Sequence, residues 1–396
     1  MSVERAKLLD AARAELPSAV ALRRRIHETP ELGLDLPETT AALLDSLADL
    51  GLELARSSAT SGVVARLRGA RSGPTVLLRA DMDALPMPED TGLPFASRVP
   101  GRMHACGHDA HTAMLAGAAR VLARQRDALG GDVLFFFQPG EEGFAGARIM
   151  LGESLFDAGE VKRAFALHID PRVPVGRVAS RAGALLASAD SFSISITGRG
   201  GHASMPHDAL DPIPVACEIV SALQSFVTRR IDVFDPAVIS VTKIASGTTG
   251  NVIPESAEML GTIRATSPKA RERARAGLQR VVDGVCAAHG AKAKVAIVEG
   301  YPVTVNDAVQ SEFARGVVAD LLGNEAYLAL PAPLMGAEDF SFVLEKIPGA
   351  MLFLGVRPND PSLRAPCHSN RMVLNEEGMV HGIAVHAALA LRALEA

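Results

Sequence analysis

The sequence predicts an α/β protein with a mainly parallel central sheet and a smaller, ferredoxin-like α+β domain inserted into it. Three observations carry this. First, the runs SGVVARL, TVLLRA, DVLFFFQ, RAFALHI and AMLFLGV are almost continuously apolar and end on Gly, Pro or charge. Such runs suit strands covered on both faces, as in a parallel sheet. Second, segments of helical period separate them, the alternation expected of α/β chains. Third, the middle of the chain changes character. In SFSISITG, Phe192, Ile194 and Ile196 alternate with Ser193, Ser195 and Thr197, the pattern of a strand with one wet face.

The elements follow in order. After DMDALP and the cluster at 101–114, AHTAMLAGAARVLARQ places Met114, Leu115, Ala118, Val121 and Leu122 on one helical face. The middle then reads strand (SFSISITG), helix (DPIPVACEIVSALQSFVTRR), two strands (AVISVTKIAS and AEMLGTIRAT), helix and strand (KAKVAIVEG). The second of those helices opens on Ser267-Pro268 and closes on Gly290, a capped start and a glycine stop. The β-α-β-β-α-β order is that of the ferredoxin-like unit. A length of 396 residues also exceeds one ordinary core, which favours two domains. The expected division is 1–180 with 298–396 for the α/β domain and 181–297 for the insert.

Composition narrows the function. A hydrophobic share of 48% and a charged share of 21% are those of a soluble globular protein. A net charge of −5 with no basic block gives no reason to expect nucleic acid or an anionic membrane surface as partner. Trp is absent and Tyr occurs twice, which argues against a base-stacking platform. The first residues lack a signal-peptide apolar region, and Cys106, Cys217, Cys286 and Cys367 have no paired spacing. Both features lead us to expect a cytoplasmic protein.

Polar residues gather where the predicted strands end, the place where open α/β sheets hold ligands. TVLLRADMDALP runs into Asp81 and Asp83, DVLFFFQPGEEG into Glu141 and Glu142, and RAFALHIDP into His168. GRMHACGHDAHTAM adds His104, Cys106, His108, Asp109 and His111. In Cys106-Gly107-His108, two donors flank a glycine that permits a tight turn. Thiolate, imidazole and carboxylate together suit zinc, and imidazole with carboxylate also suits manganese or cobalt. Taken singly, each residue has a blander role: a buried thiol, a solvated Glu pair, a satisfied strand-end histidine. Their shared placement favours the metal reading, because buried Glu and His need partners. His104 and His111 read as supports or helix-start residues rather than ligands. Asp109 could accept a proton from a ligating imidazole or cap the next helix.

RADMDALP, MHACGHDAHTAM, FFFQPGEEGFAGA, LHIDPRVPVG, GRGGHASMPH, GNVIPESAEMLGTIR, GAEDFSF and HSN together resemble the di-metal aminoacylase and carboxypeptidase family. Within it they are most similar to the branch of hippurate hydrolases, N-acyl-amino-acid amidohydrolases and indole-acetyl-amino-acid hydrolases. The resemblance implies a metal-binding α/β domain carrying a ferredoxin-like lid or dimerisation domain, in a homodimer. It implies two divalent metal ions per subunit, zinc or manganese with cobalt possible, held by Cys106, His108, Glu142, His168 and His368. Glu141 matches the general base and Asp83 the orienting aspartate. His202 matches a lid histidine that reaches the substrate carbonyl in the partner's site, and Asn251 and Arg264 match substrate-contacting or lid-supporting positions. The chain departs from the broader family at Asp81, where relatives carry His, and a Cys106 ligand would replace that missing donor. Cys367 before His368 is also unexpected.

The implied activity is metal-dependent hydrolysis of the amide bond of N-acyl-L-amino acids to a carboxylic acid and an amino acid. Alternatives within the family are a metallo-carboxypeptidase or dipeptidase and an N-acetyl-diaminopimelate deacetylase. A metal-independent hydrolase using Cys106 with His104 or His108 would leave Glu141, Glu142 and His168 without a role. A non-catalytic acyl-amino-acid binding protein would not need Glu141. Both rank lower.

Overall fold

The computed structural model describes residues 2–395. The chain folds into two compact units. The larger runs to Leu185, resumes at Val305–Ala332 and continues from Asp339, and the smaller is Leu186–Thr304 with Pro333–Glu338.

The larger unit is built on an eight-stranded sheet in the order Glu53–Arg56, Val63–Leu67, Asp132–Gln138, Thr75–Asp81, Val161–Asp170, Gly349–Gly355, Val178–Ser180, Tyr327–Ala329. Its four inner strands, from Asp132–Gln138 to Gly349–Gly355, run parallel, and both flanks include antiparallel pairings. The five apolar runs all fall on strands. Every residue of Thr75–Asp81 and Gly349–Gly355 is buried, as continuous apolar runs require when both faces are covered. Because the inner strands are parallel, Asp81, Gln138 and Asp170 end on the same edge of the sheet.

The helix that follows the cluster buries its apolar face, with Met114, Leu115, Ala118, Val121 and Leu122 all covered. In His108–Ala123, 14 of the 16 residues are buried, so no side of it is wet. It packs on the sheet, on Ser2–Glu28 and on Met379–Leu394. Alanines and Gly117 let these elements approach: a Cβ at Gly117 would lie 2.9 Å from Ile383 Cδ1. The helix is therefore a core element, with small residues on the sides away from its main apolar face.

The smaller unit contains a four-stranded antiparallel sheet in the order Ala237–Ser246, Ser256–Ala265, Ser188–Thr197, Lys292–Glu299. Phe192, Ile194, Ile196, Ile239, Met259 and Ile263 pack against helices Pro212–Arg230 and Pro268–His289 in one apolar cluster. The helix ends form as their sequences dictate. Asp211 accepts from Ile213 N at 2.9 Å, Ser267 Oγ accepts from Ala270 N at 2.9 Å, and Gly290 takes φ +69° at the stop.

Among the described residues, no helix is long and apolar enough to cross a membrane, and all four cysteines are free.

Candidate metal centre

The larger unit brings the predicted donors together at the carboxyl edge of its parallel strands. Among the described residues, five groups have donor atoms within 4.8 Å of one another, and three of them draw on the predicted donors: Cys106, His108 and His168; Cys106, Glu142 and His368; and His108, Glu141 and Glu142; the other two are Asp81, His108 and His111, and Glu141, Glu338 and Asp339. The predicted donors come from four separate segments, so only the fold assembles them.

Local backbone explains each placement. Gly107 sits at φ +86°, and a Cβ there would lie 2.5 Å from Ile169 Cγ1. Both the left-handed conformation and this contact select glycine. The chain therefore turns between Cys106 and His108, and His108 opens the helix. Cys106 Sγ lies 3.3 Å from His168 Nε2. His368 reaches the same place with φ +67°, a conformation that costs an ordinary residue roughly 1–2 kcal/mol. Its amide donates to Ala105 O at 2.8 Å, which ties the segment to the one before Cys106. Strain of this kind at a convergent cluster accords with a functional site.

Asp83 acts through its neighbours. Its carboxylate accepts from the backbone amides of Glu141 and Glu142 at 2.9 and 3.0 Å, and His108 Nδ1 donates to its carbonyl at 2.8 Å. One buried residue thus fixes the loop of both glutamates and turns the His108 ring so that Nε2 faces the cluster. Asp81 Oδ2 lies 3.6 Å from His108 Nε2, and its hydrogen bonds go to other residues. It accepts from Arg79 NH1 at 2.7 Å and from His111 Nδ1 at 2.5 Å.

The donor chemistry fits divalent cations. His108 Nε2 and Glu142 Oε1 are buried without a hydrogen-bond partner. Glu142 Oε1 lies 3.2 Å from His368 Nε2, at ion-pair distance but without hydrogen-bond alignment. Burying such atoms is costly unless something else engages them. The protonation pattern also reflects crowded anionic donors. Contact with the Cys367 thiol, burial and the charges of Glu142 and Glu141 push the Cys106 thiol well up. Burial opposes protonation of His108, yet Asp81, Asp83 and Glu142 push it up to about 10. A bound dication reverses this balance, favouring thiolate and neutral imidazole.

Other residues of the cluster find structural roles. Asp109 neither caps the helix, whose N-cap is Gly107, nor meets a ligand imidazole. Its Oδ2 accepts from Arg23 Nε at 3.0 Å and His27 Nδ1 at 2.8 Å, which ties the helix to the N-terminal one. His104 is buried with neither ring nitrogen hydrogen-bonded, and burial brings it down to about 3. His27, Arg23 and Asp339 support the site, and the sequence reading does not single them out. A charged Arg79 inside an apolar strand is the sequence signal for a buried counter-ion such as Asp339.

His202, Asn251 and Arg264 all lie in the smaller unit. His202 is exposed on the short strand Gly201–His202, paired with Val252–Ile253. Its Nδ1 accepts from Ser204 N at 3.1 Å. Asn251 precedes that partner strand, and its carbonyl accepts from Ala203 N, so these two positions share one ladder. Arg264 is on Ser256–Ala265, opposite Val238.

Comparison with known proteins agrees with this architecture. Residues 77–392 match peptidase family M20/M25/M40, and the chain belongs to that family. It is a hydrolase acting on amide bonds. It is 39% identical to thermostable carboxypeptidase 1 of Saccharolobus solfataricus over 94% of each chain. It is 39% identical to N-acetylcysteine deacetylase of Bacillus subtilis, covering 95% of this chain and 97% of that one. A crystal structure of a dinuclear metal-binding peptidase from Bacillus subtilis superposes with a TM-score of 0.83 at 36% identity, covering 97% of this chain and 99% of the other.

Proposed function

We propose that the protein hydrolyses the amide bond of N-acyl-L-amino acids, with two divalent metal ions, zinc or manganese, held by Cys106, His108, Glu142, His168 and His368. The observation that carries this reading is the position of Glu141. It is a second carboxylate beside the donor set, within 4.8 Å of His108 and Glu142 donor atoms, with its main chain fixed by Asp83.

Bound divalent cations would polarise the scissile carbonyl and lower the pKa of water toward about 7. Glu141 takes the proton of the attacking water and returns it to the leaving amine. Asp83 keeps that carboxylate in place by holding the amides of Glu141 and Glu142. Burial of Glu141, 7% exposed, limits competition from bulk water. His202 supplies a donor to the substrate carbonyl, and Asn251 and Arg264 engage the carboxylate of the amino-acid half.

We further infer a homodimer joined through the smaller unit, with His202 acting in the partner's site. Within that unit, Ala237–Ser246 is an edge strand, paired on one side with Ser256–Ala265. The outer sheet face carries Val238, Leu260 and Val298, between 40 and 64% exposed, apolar surface of the kind that pairing would cover.

The test is a hydrolysis screen crossing acetyl, benzoyl and long-chain acyl groups with several amino acids. Activity is expected after loading with zinc, manganese or cobalt and should disappear after exhaustive chelation. Activity that survived chelation would instead support a thiol–imidazole pair, for which the 3.3 Å Cys106–His168 contact is the structural candidate. Cleavage of unacylated peptides alone would move the substrate class to dipeptides.

A further inference from the structure

We propose that His111 is a positioning residue for the ligand His168, acting through the backbone of Ile169 and held in one tautomer by Asp81 and Arg79. This rests on the metal-centre reading above.

The geometry is a chain of contacts. Ile169 N donates to His111 Nε2 at 2.8 Å. An amide N–H only donates, so Nε2 carries a lone pair and the ring proton sits on Nδ1. That proton is given to Asp81 Oδ1 at 2.5 Å, and Asp81 Oδ2 accepts from Arg79 NH1 at 2.7 Å. Arg79, Asp81 and His111 are each no more than 1% exposed, so water does not replace these partners. At the other end, His168 Nδ1 donates to Ile169 O at 2.6 Å. This sets the His168 ring so that Nε2 points at Cys106 Sγ.

Ile169 is the hub. Its amide is fixed by His111, its carbonyl orients His168, and its side chain fills the space beside Gly107, between Cys106 and His108. The His111 ring also stands edge-on to His168, with centroids 4.6 Å apart. Asp81 is thus used to define a tautomer. Losing the group that holds the second ring nitrogen of a metal-binding imidazole costs about 10–100-fold in metal affinity; here that group is Ile169 O, and His111 acts by fixing the Ile169 amide.

The experiment uses the full chain with Zn²⁺ or Mn²⁺ as probe, in competition with a chromophoric chelator. His111→Ala and Asp81→Asn should bind about 10–100-fold more weakly than the parent. In Asp81→Asn the amide no longer enforces Nδ1–H. His111→Gln should recover much of the affinity, because its Oε1 can accept from Ile169 N, a rescue that loss of packing alone would not give. Nitrogen NMR of histidine-labelled parent protein should show His111 as a neutral ring protonated at Nδ1. A ring protonated at Nε2, or parent-like affinity in His111→Ala, overturns the proposal. Where His111→Ala fails to fold, the glutamine variant and the tautomer still decide it. A parent chain that binds neither metal would instead sink the metal-centre reading, while the tautomer measurement would still report on the contact chain.

Discussion

Glu141→Gln is expected to bind divalent metal as the parent does and to turn over N-acyl-amino acids at least about 10²-fold more slowly. That is the low end of what a positioned general base contributes, with about 10⁴-fold at the high end. Glutamine preserves the shape of the side chain, and the contact that fixes this position comes from the backbone amide to Asp83, so the loop should keep its place. What is lost is the ability to accept a proton from water and pass it to the leaving amine. The neighbouring Glu142 does not substitute, because its carboxylate is directed at His368 and His108. The check is kcat beside metal content by elemental analysis. Near-parent turnover in a fully loaded variant would place the base elsewhere.

Arg79→Met should produce the largest loss of stability, about 3–5 kcal/mol, the usual cost of removing one partner from a buried ion pair. Arg79 is 1% exposed and lies between two fully buried carboxylates, with NH1 on Asp81 at 2.7 Å and NH2 on Asp339 at 2.8 Å, while Nε donates to Gln138 at 2.8 Å. Asp339 in turn accepts from Gln138 and from Ala147 N. Removing the guanidinium leaves Asp81 and Asp339 without their cation, and Gln138 leads directly into the loop of Glu141 and Glu142. Arg79→Lys should recover only part of the loss, since one ammonium cannot reproduce a planar three-way fork. Urea unfolding in the presence of chelator separates this effect from metal binding. A change below about 1 kcal/mol would show that the carboxylates find other partners.

What is legible in the sequence is mostly local. DVLFFFQ coincides with strand Asp132–Gln138, because its signal is a continuous apolar run that must be covered. Ser267-Pro268 and Gly290 bound their helix for equally local reasons. Donors at strand ends are readable in the same way for Asp81, Asp83, Glu141, Glu142 and His168. His368 is not: it lies in a loop, and only the likeness of HSN to a family landmark singles it out. Its contacts with Ala105 and Glu142 span more than 200 positions of sequence, and no spacing rule encodes them. Partners such as Arg23 for Asp109, and Asp339 for Arg79, are hidden for the same reason. The segment His108–Ala123 is readable as a helix, but the burial of 14 of its 16 residues depends on distant helices packing over it.

The most direct measurement of the central claim is the metal content of Cys106→Ala. Cys106 belongs to two of the donor groups, one with His108 and His168 and one with Glu142 and His368. The parent chain, loaded with zinc and desalted, should retain the metal. Cys106→Ala, treated identically and shown to be folded by circular dichroism, should lose metal and hydrolytic activity together. Full metal content in that variant by elemental analysis would contradict the assignment of Cys106 as a ligand and, with it, the account of how this site is built.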